Sequence, residues 1–373
     1  MTPPSQKKLV ACYISAFLAL SSLTGCGVTQ STQAQPQSQA QAKKSAVERA
    51  DQDMATVLKK LEELGAKPLG TQSVEQTRQQ PTPADAVMAV LKDQGKDPKE
   101  VMEKMKVKTE NMTYQTAGGS QPIRIFTPEG DAPEGGWPVI VYYHGGGWVI
   151  ADIDTYAASA MGLADKAQAI VASAEYRHAP ENKFPAAHED AFSAYQWVLG
   201  NARKFEGNNK RVAVAGESAG GNLAINTAIM ARDKSVQMPE HMLLVYPVAG
   251  TDLNTPSYQE NANATPLSRE AMKWFVEKTI SKPEDKQDPR LDVVGKANLK
   301  NLPDATVITA EIDPLRSEGK ALADKLEAAG SDVTYKNYDG VTHEFFGMAA
   351  VVDDAKSAQT LAADELKDAL KAD

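Results

Sequence analysis

Gly216-Glu217-Ser218-Ala219-Gly220 sets a serine between two glycines, each one residue removed. A serine hydroxyl at its ordinary pKa is a poor nucleophile and needs a base beside it. Glycines in those positions keep side-chain bulk away from the turn, so the hydroxyl projects into open space. The apolar run Val212–Ala215 before it predicts a strand, and the stretch 219–232 after it predicts a helix. A serine on such a strand–turn–helix is a nucleophile elbow, and the first N–H groups of the helix are free to face a developing negative charge. The chemistry this pattern suits is acyl transfer to a serine oxygen.

The base must be one of five histidines. His144 begins a glycine run, His178 and His188 flank a predicted helix start, and His241 directly precedes a predicted strand. His343 ends the loop Asp339-Gly340-Val341-Thr342-His343, after the last predicted strand, where a base can approach the serine. An orienting carboxylate is expected from Asp313, in Asp313-Pro314-Leu315-Arg316 at a helix opening, with Glu311 beside it and Asp252 as a rival. The strand Val139–Tyr143 runs into His144-Gly145-Gly146-Gly147-Trp148. Three successive glycines let main-chain N–H groups come close to a ligand, and with the N–H of Ala219 they make an oxyanion hole. One such donor is worth about 2.7–4 kcal/mol of barrier. This chemistry requires no metal and no organic cofactor.

These residues need a frame that brings distant segments together. Strands are predicted at Val139–Tyr143, Ala169–Ala174, Val212–Ala215, Met242–Tyr246, Ala305–Thr309 and Val333–Tyr338. Helical patterns lie between them at 155–167, 186–200, 219–232, 268–280 and 315–329, with 351–371 at the end. Nearly unbroken apolar strands separated by helices imply an α/β fold: a mostly parallel sheet buried between two helical layers. Ligand sites in such sheets lie beyond the carboxyl ends of the strands, where Ser218, Asp313 and His343 fall. Upstream, residues 46–64 carry apolar residues at helical spacing, and 83–91 and 97–106 read as two further amphipathic helices with Pro start signals.

Four motifs in this order resemble the hormone-sensitive-lipase-like esterases, the HGGG group of the α/β-hydrolase superfamily: His144-Gly145-Gly146-Gly147-Trp148, Gly216-Glu217-Ser218-Ala219-Gly220-Gly221, Asp313-Pro314-Leu315-Arg316 and His343-Glu344-Phe345. The resemblance spans roughly residues 110–370 and includes Tyr176-Arg177-His178-Ala179-Pro180-Glu181, a structural stretch in that group. It implies an α/β-hydrolase fold with Ser218 as nucleophile, Asp313 as acid, His343 as base, and Gly146, Gly147 and Ala219 as oxyanion donors. It also implies a helical cap over an acyl pocket, with Met88, Leu91, Met102 and Met105 available either to line it or to pack on the core as ordinary helix faces. The sequence departs from the group's pattern at Glu217 (commonly Asp), His178 (Leu), Ser317 (often Asp) and Glu344 (Gly). The activity implied is hydrolysis of short- to medium-chain acyl esters of small molecules. An amide, lactone or acetyl substrate with the same triad is the alternative, and a ligand-binding homologue without catalysis is an alternative of another class.

The chain has 373 residues, 42% of them apolar, with a net charge of −9. A mildly acidic protein lacks the basic surface that phosphate backbones require, so nucleic acid is not expected as a partner. The two cysteines, Cys12 and Cys26, are too few for a disulfide scaffold or a cysteine-rich metal site. Lys7 and Lys8 precede an apolar stretch, Leu9 to Leu20, too short to span a bilayer comfortably, followed by Leu23-Thr24-Gly25-Cys26. This resembles a bacterial lipoprotein signal, in which Cys26 is lipidated and becomes residue one after cleavage. The expected organisation is a signal peptide over 1–25, a flexible tether over 26–45, a helical cap over 46–110 and the catalytic domain over 111–373. Localisation would be the bacterial cell envelope by a lipid anchor, with a secreted or periplasmic protein as the alternative. The sequence leaves homo-oligomerisation open.

Overall fold

The computed structural model describes residues 44–371. The expected signal peptide, most of the expected tether and Cys26 lie outside the described residues. Residues from Lys44 onward form one compact unit. Its sheet has eight strands: β1 (Val107–Thr116), β2 (Gly119–Pro128), β3 (Trp137–Tyr143), β4 (Ile170–Ala174), β5 (Gly207–Glu217), β6 (Met242–Val245), β7 (Ala305–Ile312) and β8 (Val333–Thr342). They lie in the order β1-β2-β4-β3-β5-β6-β7-β8. β1 pairs with β2, and β2 with β4, antiparallel; every later pairing is parallel.

Alternation along each central strand sends successive side chains to opposite faces. Val139, Val141, Val212, Val214, Leu244 and Val307 enter one apolar core. Ile140, Tyr142, Ala213, Ala215, Leu243, Val245 and Ile308 enter the other. Helices Ala186–Asn201, Ala219–Asp233 and Arg316–Ala329 contribute to the first core through residues such as Leu223 and Leu322. Helices Ala157–Ala167 and Asp353–Ala369 cover the second through Leu163 and Leu366. Both faces being dry explains why these strands read as unbroken apolar runs. Each fully buried Val or Leu contributes about 1.5–3 kcal/mol.

The six expected strands and the helices between them are present, with ends shifted by a few residues. The β1–β2 hairpin is an addition. In β1 only Tyr114 is buried, because this edge strand turns its other side chains toward solvent. It therefore has no apolar run to announce it. Upstream, helix Gln52–Glu63 buries Met54, Val57, Leu58 and Leu61, and helix Pro83–Asp93 starts on a capping box of Thr82 with Asp85. The last helix before the sheet ends at Glu103, and β1 runs across residue 110. Among the described residues, no helix is long and apolar enough to cross a membrane.

Candidate active site

Ser218 links β5 to helix Ala219–Asp233 with φ 58° and ψ −119°, a conformation that L-residues avoid and that costs on the order of 1–3 kcal/mol. Neighbouring main chain holds it there. Its N–H donates to the Val245 carbonyl over 2.9 Å, and its own carbonyl accepts from the N–H of Val248 over 3.1 Å. Gly220 is required by contact, since a Cβ there would sit 1.9 Å from the Tyr143 carbonyl oxygen. The turn is thus clamped between β3 and β6.

His343 follows β8, and Asp313 follows β7. The Ser218 hydroxyl donates to His343 Nε2 over 2.9 Å, and His343 Nδ1–H donates to Asp313 Oδ2 over 2.7 Å. The other Asp313 oxygen accepts from the N–H of Leu315 over 2.9 Å, so the carboxylate also opens the following helix. The Tyr246 ring lies against the imidazole with centroids 4.5 Å apart. Ser218 and His343 line a cavity of about 760 Å³, together with Gly146, Gly147 and Glu344. Gly146 has φ +91° and its carbonyl accepts from the N–H groups of Val149 and Ile150 at 3.0 Å each. Gly146 and Gly147 thereby line the same cavity as the hydroxyl. Ala219 is the first residue of its helix, where an N–H has no intrahelical partner. A hydroxyl hydrogen-bonded to an imidazole whose far N–H is held by a carboxylate is set to lose its proton on attack, and nearby main-chain N–H groups can accept the charge that results.

A family model described as the alpha/beta hydrolase fold matches residues 140–347. The chain belongs to the α/β-hydrolase fold family. Carboxylesterase NlhH of Mycobacterium tuberculosis is 37% identical over 281 residues, covering 74% of this chain and 87% of that protein. Ethyl acetate hydrolase of Pseudomonas putida is 31% identical over 251 residues, 67% of this chain and 79% of that one. Among solved structures, a thermostable esterase from Pseudomonas putida ECU1011 superposes with a TM-score of 0.76 at 30% identity, over 87% of this chain and 99% of that chain. An esterase from the archaeon Pyrobaculum calidifontis gives a TM-score of 0.72 at 34% identity, over 84% and 97%. This hydrolase is therefore an enzyme of the serine type.

The electrostatics of the hydrolase site follow from burial and neighbouring acids. Burial pulls the His343 imidazole down, but Asp313, by charge and hydrogen bond, and then Glu344 and Glu217, more than offset it and leave the group above its ordinary value. Glu217, one residue before Ser218, is fully enclosed and burial pushes it up to about 7. The hydroxyl of Tyr142 donates to it over 2.5 Å, and that of Tyr246 donates to its other oxygen. Glu344 is raised by burial as well, and both its oxygens lie 2.7 Å from the Tyr156 hydroxyl. The tyrosines were silent in the sequence, where nothing local separates a buried hydroxyl donor from an ordinary core aromatic.

The other predicted candidates have other duties. Asp252 is exposed and binds the N–H of Asn254 over 2.9 Å, so it is not the acid facing His343. Glu311 accepts from the N–H of Gly340 over 2.8 Å. His188 bonds Asn222 and His241 bonds Thr306, each at 2.9 Å, and burial pushes both imidazoles down to about 4. His144 Nδ1–H donates to the Gly145 carbonyl over 2.9 Å, and its Nε2 lies 3.0 Å from Glu175. His178 Nε2 lies 3.1 Å from the same carboxylate. This trio, at the exits of β3 and β4, is the one group among the described residues whose types and spacing could hold a metal ion. As it stands it ties the glycine run to the segment after β4. The Tyr176–Glu181 stretch adds to that bracing: the Tyr176 hydroxyl reaches the His144 and Gly145 carbonyls at 2.9 and 3.0 Å, and Arg177 grips Asp190 at 2.8 and 2.7 Å.

One expectation is corrected. Met88, Leu91, Met102 and Met105 line a separate cavity of about 250 Å³ that includes neither Ser218 nor His343. The chamber holding the serine takes its apolar wall instead from residues such as Leu58, Leu69, Met272 and Phe275. Helical periodicity identifies which face of a helix is apolar, and the docking angle of that helix decides which chamber the face meets.

Proposed function

We propose that the chain is a serine carboxylic-ester hydrolase that cleaves short- to medium-chain acyl esters through an acyl-enzyme. The observation that carries this reading is the continuous hydrogen-bonded line from Ser218 through His343 to Asp313, opening on a cavity of about 760 Å³ beside a glycine run. His343 Nε2 takes the Ser218 proton as the oxygen attacks the ester carbonyl. Asp313 holds the imidazole with Nδ1 protonated and stabilises the imidazolium that forms. The N–H groups of Gly146, Gly147 and Ala219 receive the oxyanion. Nε2 then gives its proton to the departing alcohol, and water reverses the sequence to release the acid. The cavity's apolar wall suits the hydrocarbon of an acyl group. Esterase relatives of matching length support the ester as substrate.

An acyl-chain series of aryl esters is the direct test, with kcat/KM expected to peak at short to medium chains. A fluorophosphonate should label Ser218. Failure of both would favour a ligand-binding homologue without turnover.

The envelope reading belongs here too. Lys7 and Lys8, the apolar stretch to Leu20 and the Leu23–Cys26 motif support lipidation of Cys26. Acyl chains contribute about 0.8 kcal/mol per buried CH₂, so several on one residue anchor a protein stably. The polar run from Gly27 to Gln41 would link that anchor to the catalytic body. Cys26→Ala should move the protein from the membrane fraction to the soluble one; continued membrane association would sink the anchor.

A further inference from the structure

Glu344 follows His343 directly and holds its backbone at φ 71° and ψ 3°. That left-handed conformation suits glycine, and a non-glycine residue there is under strain. The strained turn aims the side chain back into the reaction chamber. Oε1 lies 3.8 Å from His343 Nε2, on the side of the ring that faces Ser218. About 21% of the side chain stays open, and the residue lines the same cavity as Ser218. Among the described residues no lysine or arginine forms an ion pair with it. The Tyr156 hydroxyl has a single proton to share between two carboxylate oxygens. A carboxylate has about four acceptor sites, so most of its capacity is unspent.

The position fixes what that capacity meets. Nε2 must deliver its proton to the leaving alcohol from within about 3.2 Å. A carboxylate oxygen 3.8 Å from the same nitrogen is then at most about 7 Å from the leaving oxygen, close to the first carbons of the alcohol. Resting on the ester-hydrolase reading above, we propose that Glu344 forms a polar subsite for the alcohol portion of the substrate. It selects esters whose alcohol carries a second hydrogen-bond donor, a hydroxyl or an ammonium group, on the carbon next to the ester-bearing carbon. Polyol esters and amino-alcohol esters share this chemistry. An alcohol bearing a carboxylate is repelled.

The test compares kcat/KM for two shape-matched pairs of butyrate esters: 2-hydroxyethyl against n-propyl, and 2-(dimethylammonio)ethyl against 3-methylbutyl. Wild type should favour the donor-bearing member of at least one pair by about tenfold, and the pair that shows it identifies the donor. Glu344→Gln, still a hydrogen-bond acceptor, should keep part of a hydroxyl preference and lose an ammonium preference. Glu344→Gly should bring both ratios near one. Because each readout is a ratio within one protein, a general loss of activity does not mimic it. Equal ratios in wild type, or ratios unchanged in both variants, would overturn the subsite; in the second case the carboxylate acts on His343 alone. Wild-type turnover of none of the four esters would instead sink the ester-hydrolase reading itself.

Discussion

Ser218 is the nucleophile of the proposed mechanism, and its strained backbone, at φ 58°, accompanies a hydroxyl in line with His343. Replacing it with Ala leaves every main-chain contact of the turn in place. Ser218→Ala should therefore lower kcat by at least about 10³-fold while circular dichroism and Tm stay near wild type; residual turnover near the wild-type rate would remove the serine from the mechanism. The pH response follows from His343. The imidazole must be neutral to act as base, and its acid neighbours raise it above the ordinary histidine range. Activity should thus rise with pH through an inflection above about 6.5, and Glu344→Gln, which removes one of the groups lifting it, should move that inflection down. A kcat/KM profile from pH 5 to 9 measures both. The serine, the acid and the base were legible because each sits in a short motif whose neighbours define its turn. Glu217 and Glu344 were visible only as departures from a pattern. Their roles depend on tyrosines 75, 29 and 188 residues away.

Elements are joined to the site by their ends. Glu318, in the first turn of helix Arg316–Ala329, reaches the loop after β6 and accepts from the N–H groups of Ala249 and Gly250 at 2.8 and 3.3 Å. Burial raises its carboxyl to about 8. The folded protein therefore holds a proton that the unfolded chain has already released between the ordinary carboxylate range and pH 8. Stability contributed by this group falls as pH rises through that window, and the full penalty is present above it. Glu318→Gln keeps an acceptor for both N–H groups without the ionisation. Its Tm relative to wild type should climb from pH 6 to pH 9, by an amount equivalent to a few kcal/mol at most; a constant difference would show the ionisation to be uncoupled from folding. At this scale the sequence was most informative for central strands, where burial on both faces leaves an apolar run. It was least informative for β1, whose residues are held by pairing with β2 and not by burial of their side chains.

In the molecule as a whole, the helices before β1 close over the sheet's active edge and supply part of the cavity wall. Arg78 fastens them. Its guanidinium donates to the Val149 and Ala179 carbonyls at 2.8 and 3.0 Å and grips Glu181 with two contacts of 2.8 Å. One side chain thus joins the helix Val74–Gln79 to the end of the glycine run and to the segment after β4. Arg78→Ala should cost about 1.5–3 kcal/mol, seen as a lower Tm, and should raise KM more than it lowers kcat. Arg78→Lys should recover little of this, because an ammonium cannot span the same fork of acceptors; a variant with wild-type Tm and KM would show that the helices dock without it. The sequence by itself determined the fold class, the order of the central strands along the chain and which serine, aspartate and histidine meet in one hydrogen-bonded line. Each of those is written in neighbouring residues, as periodicity, turn chemistry or motif. Only the tertiary structure decided that Met88, Leu91, Met102 and Met105 face a second chamber, that Arg78 fastens the helices, and that Glu344 turns toward the serine's cavity. Those outcomes depend on the angle at which one element lands on another, which is fixed by packing among residues far apart in the chain and leaves no local trace.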